Sequence, residues 1–339
     1  MEDRKLITVF GGIMVAFICG VVLKLAQPVL FPFFLAIFFY FILSPVLDFL
    51  VRIKIPRSVT IAAILLVFFL LVYLLVVLFY SSGKTLASEL PHYGERINSA
   101  LEYLQTHIKT AGIKWDPLAY IKNLDVDKIA SFLLASLGSF FSLAANLLII
   151  FVFLVFMLAG RGKIKIKVER SLSKTRASQV NRVIDHIDSQ VQKYLAIKTL
   201  ICVINGVIVG VVLVCFRVDF AIVFGFQAFL LNYIPNIGST IATALPVIIA
   251  FLQFGNFWPV FWIFIIITIL DNLVGNVLEP KLMGKGLGLS PLAIIFSLIF
   301  WYWLWGIPGT ILAVPILAVL KIVASNIPSL KFAAELISK

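Results

Sequence analysis

The sequence predicts an all-α, polytopic membrane protein of about eight membrane segments, with two broken or re-entrant C-terminal hairpins. Three observations carry that prediction. The 339 residues are 62% apolar and only 13% charged, with a mean hydropathy of +1.09; soluble proteins average about 45–50% and about 25%. Apolar runs recur that are long enough to cross a hydrocarbon core about 30 Å thick at about 1.5 Å per residue. In the C-terminal half the runs shorten and are interrupted by Pro, Asn and Gly, which marks irregular backbone at membrane depth.

The net charge of +12 does not point to nucleic acid in so apolar a chain, because Lys and Arg are retained in the cytoplasmic loops of membrane proteins. Cys19, Cys202 and Cys215 lie in apolar runs and read as small buried hydrophobes, with no disulfide framework. The apolar stretch after Met1-Glu2-Asp3-Arg4-Lys5 continues to Ala26 without a small-residue cleavage site. It therefore reads as a retained first helix.

Residues 6–26 form the first expected span and 29–50 the second, with Pro45 as a kink or an end. Residues 59–80 form the third, after a basic loop of Arg52, Lys54 and Arg57. Residues 81–131 are soluble and electrically neutral, and Ile97, Leu101, Leu104 and Ile108 recur there at helical spacing. Residues 132–159 form the fourth span, in which Asn146 reads as an interhelical hydrogen bond. Residues 160–198 hold ten bases against three acids, a balance of +7, and an apolar stripe from Val180 to Leu195 leads into a fifth span at 199–216. The positive-inside rule places this basic helix, and hence both termini, in the cytoplasm.

Beyond Asp219 the pattern changes. Residues 220–233 and 240–254 are two short apolar arms around a break at Pro235, Asn236 and Gly238. A similar break recurs at Pro308 and Gly309: Ile234-Pro235 with Gly238-Ser239-Thr240-Ile241 resembles Ile307-Pro308-Gly309-Thr310-Ile311. Topology gives the two hairpins opposite orientation, which is the inverted-repeat logic of secondary transporters. Trp301, Trp303 and Trp305 read as an interfacial belt. The domains expected are a three-helix membrane region (1–80), an extracytoplasmic helical loop (81–131), the fourth membrane helix (132–159), a basic cytoplasmic helix (160–198) and a C-terminal transport core (199–339). That core holds the weak inverted repeat at 219–254 and 289–323.

Between the hairpins, residues 257–277 end in the densest polar set within any membrane segment. Asp271, Gly275 and Glu279 are spaced i, i+4, i+8, and Asn272 and Asn276 are four apart. On a regular helix they form one polar stripe. Carboxyls in hydrocarbon are costly and face a bundle interior, a cavity or a partner. Either the stripe lines an ion or solute path, or it cements helices together; for Glu279, nearby Lys281 offers a simple interfacial pairing.

The C-terminal half resembles the autoinducer-2 exporter family of bacterial inner-membrane permeases. The matching stretches are Asn232-Tyr233-Ile234-Pro235-Asn236-Ile237-Gly238, Gly275-Asn276-Val277-Leu278-Glu279-Pro280-Lys281-Leu282-Met283-Gly284, Gly288-Leu289-Ser290-Pro291-Leu292, and Gly306-Ile307-Pro308-Gly309 with Val314-Pro315. The order of spans, outer loop and basic helix matches along the whole chain. Tyrosine is common in the family where Asn236 stands here. The resemblance implies a homo-oligomeric inner-membrane permease that exports small molecules such as autoinducer-2, and some members look like Na⁺(Li⁺)/H⁺ antiporters.

The expected function is ion-coupled secondary transport, with Asp271 and Glu279 as proton- or cation-binding carboxyls. Asn236, Asn272 and Asn276 would supply neutral oxygens, and the breaks at Pro235, Gly238, Pro308 and Gly309 free carbonyls. A carboxyl withdrawn from water can exchange a proton near neutral pH. A Na⁺(Li⁺)/H⁺ antiporter, a passive oligomeric channel and a non-transporting scaffold are the alternatives. No enzyme, cofactor or metal site is expected: His92, His107 and His186 lie in soluble segments, and there is no phosphate loop or nucleophile elbow. The expected partners are a small solute, Na⁺ or H⁺, the lipid bilayer and further copies of the chain.

Overall fold

The computed structural model describes residues 14, 18, 20–78, 80–82, 147–234, 237–283 and 288–338. Among these residues the regular structure is helical, apart from one antiparallel bridge between Leu289 and Ser338. The helices are α1 (Gln27–Arg52), α2 (Arg57–Ser82), α3 (Leu147–Gly160), α4 (Lys163–Ser171), α5 (Lys174–Cys215), α6 (Ala221–Leu231), α7 (Ile237–Phe254), α8 (Phe257–Leu273), α9 (Glu279–Met283), α10 (Pro291–Asn326) and α11 (Lys331–Ile337). The amphipathic segment at 97–108, Asn146 and most of the first span lie outside the described residues.

Five of the described helices are long and apolar enough to cross a membrane, or six if α3 and α4, bent by 53°, count as one. The chain is a multi-pass membrane protein. The described part falls short of eight segments partly because α6 is too short to cross alone and α10 is two arms in one helix. Exposed side chains on α2 such as Leu66, Phe69, Leu70 and Leu74 are apolar, as a surface facing hydrocarbon requires.

The helices group into two compact units. The first comprises residues 1–65, 146–200 and 280–339. In it α1 runs through Pro32 and Pro45 to Arg52, so Pro45 does not end the helix as the sequence allowed. The proline costs one backbone bond, while the fully buried Ser44 beside it donates its hydroxyl to the Tyr40 carbonyl. On α3, Ile150, Leu154 and Leu158 recur every fourth residue and are fully buried, and Phe153 meets Phe33 of α1 at 5.3 Å between ring centres. The last carbonyls of α3 are satisfied from outside, because Arg57 Nη2 donates to Leu158 at 2.9 Å and Arg161 at 2.8 Å. Arg161 pairs with Asp48 of α1 at 2.7 Å and lies 3.6 Å from Asp188 of α5. Lys165–Asp185 and Asn181–Glu169 tie α4 to α5. Basic residues that serve as topology signals thus also knot the helix ends together.

The part of the basic segment from Lys174 onward and the fifth span are one 42-residue helix, α5. Val191 and Leu195 on it pack with Ile322 and with Phe38, Phe41 and Ile42. Helix α10 doubles back at Gly306, whose φ of 69° and ψ of −149° suit glycine alone. Ser297 donates to the Ala313 carbonyl at 3.0 Å; sixteen residues apart on a straight helix, they would be separated by about 24 Å. A Cβ at Gly309 would strike the Trp301 carbonyl oxygen. Trp301 and Trp305 are buried against Phe31 and Phe34, with ring centres 5.4–6.0 Å apart. They are core packing rather than an interfacial belt; Trp303 alone is exposed, with Lys24 over its ring. The C-terminal tail is fastened by Ser290 N–H donating to the Ile337 carbonyl at 2.8 Å and by Lys321 Nζ donating to the Gly288 carbonyl at 2.9 Å.

The second unit comprises residues 66–145 and 201–279. Its core draws Val209 and Leu213 from α5, Ala221, Phe224 and Ala228 from α6, Ala242, Ile249 and Ala250 from α7, and Val260, Ile263 and Ile267 from α8. Helices α5 and α6 touch through glycine: a Cβ on Gly206 would lie 2.7 Å from both the Gly225 carbonyl oxygen and Phe229 Cβ. Small residues permit this close backbone approach in membrane bundles. Helices α6 and α7 form a hairpin, and a Cβ on Gly238 would collide with the Leu231 carbonyl oxygen. Both hairpins therefore use a glycine in the returning arm against a carbonyl of the incoming one.

Two outcomes follow from this packing. Replacing Gly206 with Ala lowers the unfolding midpoint in detergent, at a cost of roughly 1–3 kcal/mol for overpacking, whereas Gly210→Ala, whose Cβ would meet Gly225 Cα at 3.7 Å, leaves it nearly unchanged. Cysteines at positions 297 and 313, in a background with Cys19, Cys202 and Cys215 replaced, are joined by a short bis-thiol reagent. Peptide mapping without that crosslink would mean that the α10 arms do not fold back.

Candidate functional site

Three buried helix faces of the second unit run into polar residues at one level. On α8, Ile263 and Ile267 are followed four residues later by Asp271; on α5, Asn205 precedes Val209 and Leu213 by the same step. On α7, Thr243 stands seven residues before the buried Ala250. Since α8 enters the core by its N-terminal end while α5 and α7 leave it by theirs, antiparallel packing brings the three polar residues together at one end of the apolar core.

The geometry is that of a shared polar cluster. Thr243 Oγ1 donates to Asp271 Oδ2 at 3.1 Å. The Asn205 amide lies within hydrogen-bonding reach of the same carboxyl. Asn205 is 2% and Thr243 7% exposed. Asp271 Oδ1 and Asn205 Oδ1 are both buried and accept no hydrogen bond. Asp271 has no ion-pair partner among the described residues. It lies fourteen residues after Phe257 and twelve before Met283 in a candidate span, about 20 Å from either end of that helix.

Immediately beyond Asp271 the helix widens into a π turn, Val274–Leu278. Such a turn inserts a residue into the α-helical count and is common at functional sites. Asp271 and Glu279, before and after it, are half-buried, whereas Asn272, Gly275 and Asn276 are exposed, so the polar residues do not share one environment. Asn272 and Asn276 lie on the exposed side, where Asn276 Nδ2 donates to Asn272 Oδ1 at 3.0 Å and Asn272 Nδ2 to the Thr268 carbonyl at 2.8 Å. Glu279 is half-buried past the turn, at the start of α9. Gly238 stands near the start of α7 and Pro308 and Gly309 just past the reversal of α10 at Gly306, and no printed contact joins them to Asp271; Pro235 and Asn236 lie outside the described residues.

Asn205 and Thr243 escaped the sequence reading because each is a single neutral polar residue in an apolar run. The signal for Asn205 was its step of four to Val209 and Leu213, which puts it on the buried face.

Comparison with known proteins agrees with the fold. Residues 12–329 match the model of the AI-2E family transporter. The AI-2 transport protein TqsA of Escherichia coli K12 is 31% identical over 320 residues, 93% of this chain and 90% of the relative. A Haemophilus influenzae chain provisionally named as a transport protein is 32% identical over 324 residues, covering 94% and 92%. The Escherichia coli K12 protein YhhT is 29% identical over 299 residues, covering 88% and 84%. With a multi-pass helical fold and a match along nearly its whole length, the chain belongs to the AI-2E transporter family.

Proposed function

We propose that this protein exports a small polar solute across the bacterial inner membrane by ion-coupled secondary transport, with the Asp271 carboxyl carrying the coupling ion. The observation behind this reading is a carboxyl halfway along a membrane helix with one oxygen buried and unbonded. A carboxyl kept in such a place is costly and marks an ion or proton path far more often than it marks mere packing. An autoinducer-2-like molecule is the proposed solute, by relation to TqsA. The basic segment at 160–198 places both termini in the cytoplasm, the two hairpins enter the bilayer from opposite sides as re-entrant arms, and the permease works as a homo-oligomer. Glu279, Asn272 and Asn276 serve the solute path beside the π turn.

A second reading is antiport of Na⁺ or Li⁺ against H⁺. The oxygens of the Asp271 carboxyl and the Thr243 hydroxyl favour it, since hard cations take oxygen ligands.

Proteoliposomes carrying the wild-type protein accumulate or release solute when a pH or Na⁺ gradient is imposed. The Asp271→Asn variant, which keeps the shape of the side chain, loses at least about tenfold of the gradient-driven flux, equivalent to about 1.4 kcal/mol or more in the rate-limiting step. Gradient-driven flux at the wild-type rate would remove Asp271 from the mechanism. Movement of Na⁺ against H⁺ without any organic solute would make the antiporter reading the correct one.

A further inference from the structure

We infer that α4 is an interfacial helix whose outer face, Lys163, Ile166, Lys167 and Arg170, binds the anionic headgroups of phospholipids around the protein; nothing in this depends on the role proposed for Asp271. The four residues are spaced i, i+3, i+4, i+7 and all are exposed, so they share one face of a nine-residue helix. The opposite face is already engaged. Lys165 pairs with Asp185 of α5, and Glu169, one turn further on, accepts from Asn181 Nδ2 at 3.1 Å. Charge on α4 is thus sorted by side. The base and the acid toward α5 have partners there, while Lys163, Lys167 and Arg170 make no ion pair among the described residues.

Position and composition decide what that face meets. The apolar helix α3 ends at Gly160, and α4 begins three residues later at 53° to it, turned by Gly162 at a φ of 84°. Nine residues span about 13 Å, so from an upright α3 the helix climbs only about 8 Å, roughly the depth of one headgroup layer. Among the bases stand Ile164 and Ile166, 65% and 49% exposed. Apolar side chains beside Lys and Arg suit the boundary between headgroups and acyl chains, where both find their medium. A soluble polyanion would use the bases but leave the isoleucines bare. Charge then names the lipid: from Arg161 to Arg176 seven bases stand against one acid, and each base near an anionic membrane surface strengthens binding about fivefold. A topology signal needs only the number of bases on one side of the membrane; it does not require the unpaired ones to gather on one face.

The test places a nitroxide on Ile166→Cys in the full-length protein, with Cys19, Cys202 and Cys215 replaced. The protein is reconstituted into vesicles of phosphatidylcholine alone, or of equal parts phosphatidylcholine and phosphatidylglycerol. Relaxation of the label by oxygen, which concentrates in lipid, is compared with relaxation by a water-soluble nickel chelate. In the mixed vesicles oxygen reaches the label preferentially; in phosphatidylcholine alone the nickel chelate does. Lys163→Gln, Lys167→Gln and Arg170→Gln together shift the balance between immersed and hydrated label toward water by at least about tenfold. The charge-preserving set Lys163→Arg, Lys167→Arg and Arg170→Lys behaves as the wild type, which separates loss of charge from loss of folding. Equal immersion in both kinds of vesicle overturns the headgroup assignment. A label reached by nickel in the mixed vesicles overturns the interfacial helix and leaves the stripe to a soluble anionic partner. Full immersion of the Gln variant also overturns the proposal, because these three bases then do not hold the lipid.

Discussion

The second unit depends on how one carboxyl is kept at membrane depth. Transferring an ionised carboxylate to an apolar medium is prohibitive unless polar groups or a counter-ion attend it. Here the attendants are a hydroxyl from α7 and an amide from α5, at the point where three apolar helix faces run out together. Neither neighbour carries charge, so the carboxyl is solvated locally but not neutralised.

That arrangement demands close helix packing, and glycine supplies it. Without a hydrophobic drive between helices in lipid, association rests on surface fit and interhelical bonds. Gly206 and Gly225 let the α5 and α6 backbones touch, and Gly238 lets α7 return along α6 toward the carboxyl helix. The cost of a reversed chain in lipid is its free backbone groups. At the α10 reversal the hydroxyl of Thr310 donates to the Gly306 carbonyl at 3.2 Å, while Ser297 closes the arms. The basic knot of the first unit obeys the same rule, with Arg57 donating to the Leu158 and Arg161 carbonyls at the end of α3.

The π turn changes what the carboxyl helix can present. In an unbroken α-helix Asp271 and Glu279 would share a face, and the Asn272–Asn276 pair would flank it. Here Thr243 meets the half-buried acid ahead of the π turn, while the amide pair is hydrogen-bonded on the exposed side of the helix. A single segment thereby serves two environments.

The all-α membrane class and the positions of α1, α2 and α8 were legible in the amino-acid order, because hydropathy acts locally along the chain; the α10 reversal was expected at Pro308 and Gly309 and falls at Gly306. Asp271 stood out too, because a charge in a long apolar run is costly. What the order of residues could not determine is which way each polar group faces and what it meets there. Asn205 and Thr243 are neutral, isolated and far from Asp271 in sequence, and only helix packing brings them to it. The burial of Trp301 and Trp305 and the passage of α1 through Pro45 were likewise decided by tertiary contacts. Periodicity assumes an ideal helix and an undifferentiated surroundings; the π turn and the glycine-lined interfaces supply neither.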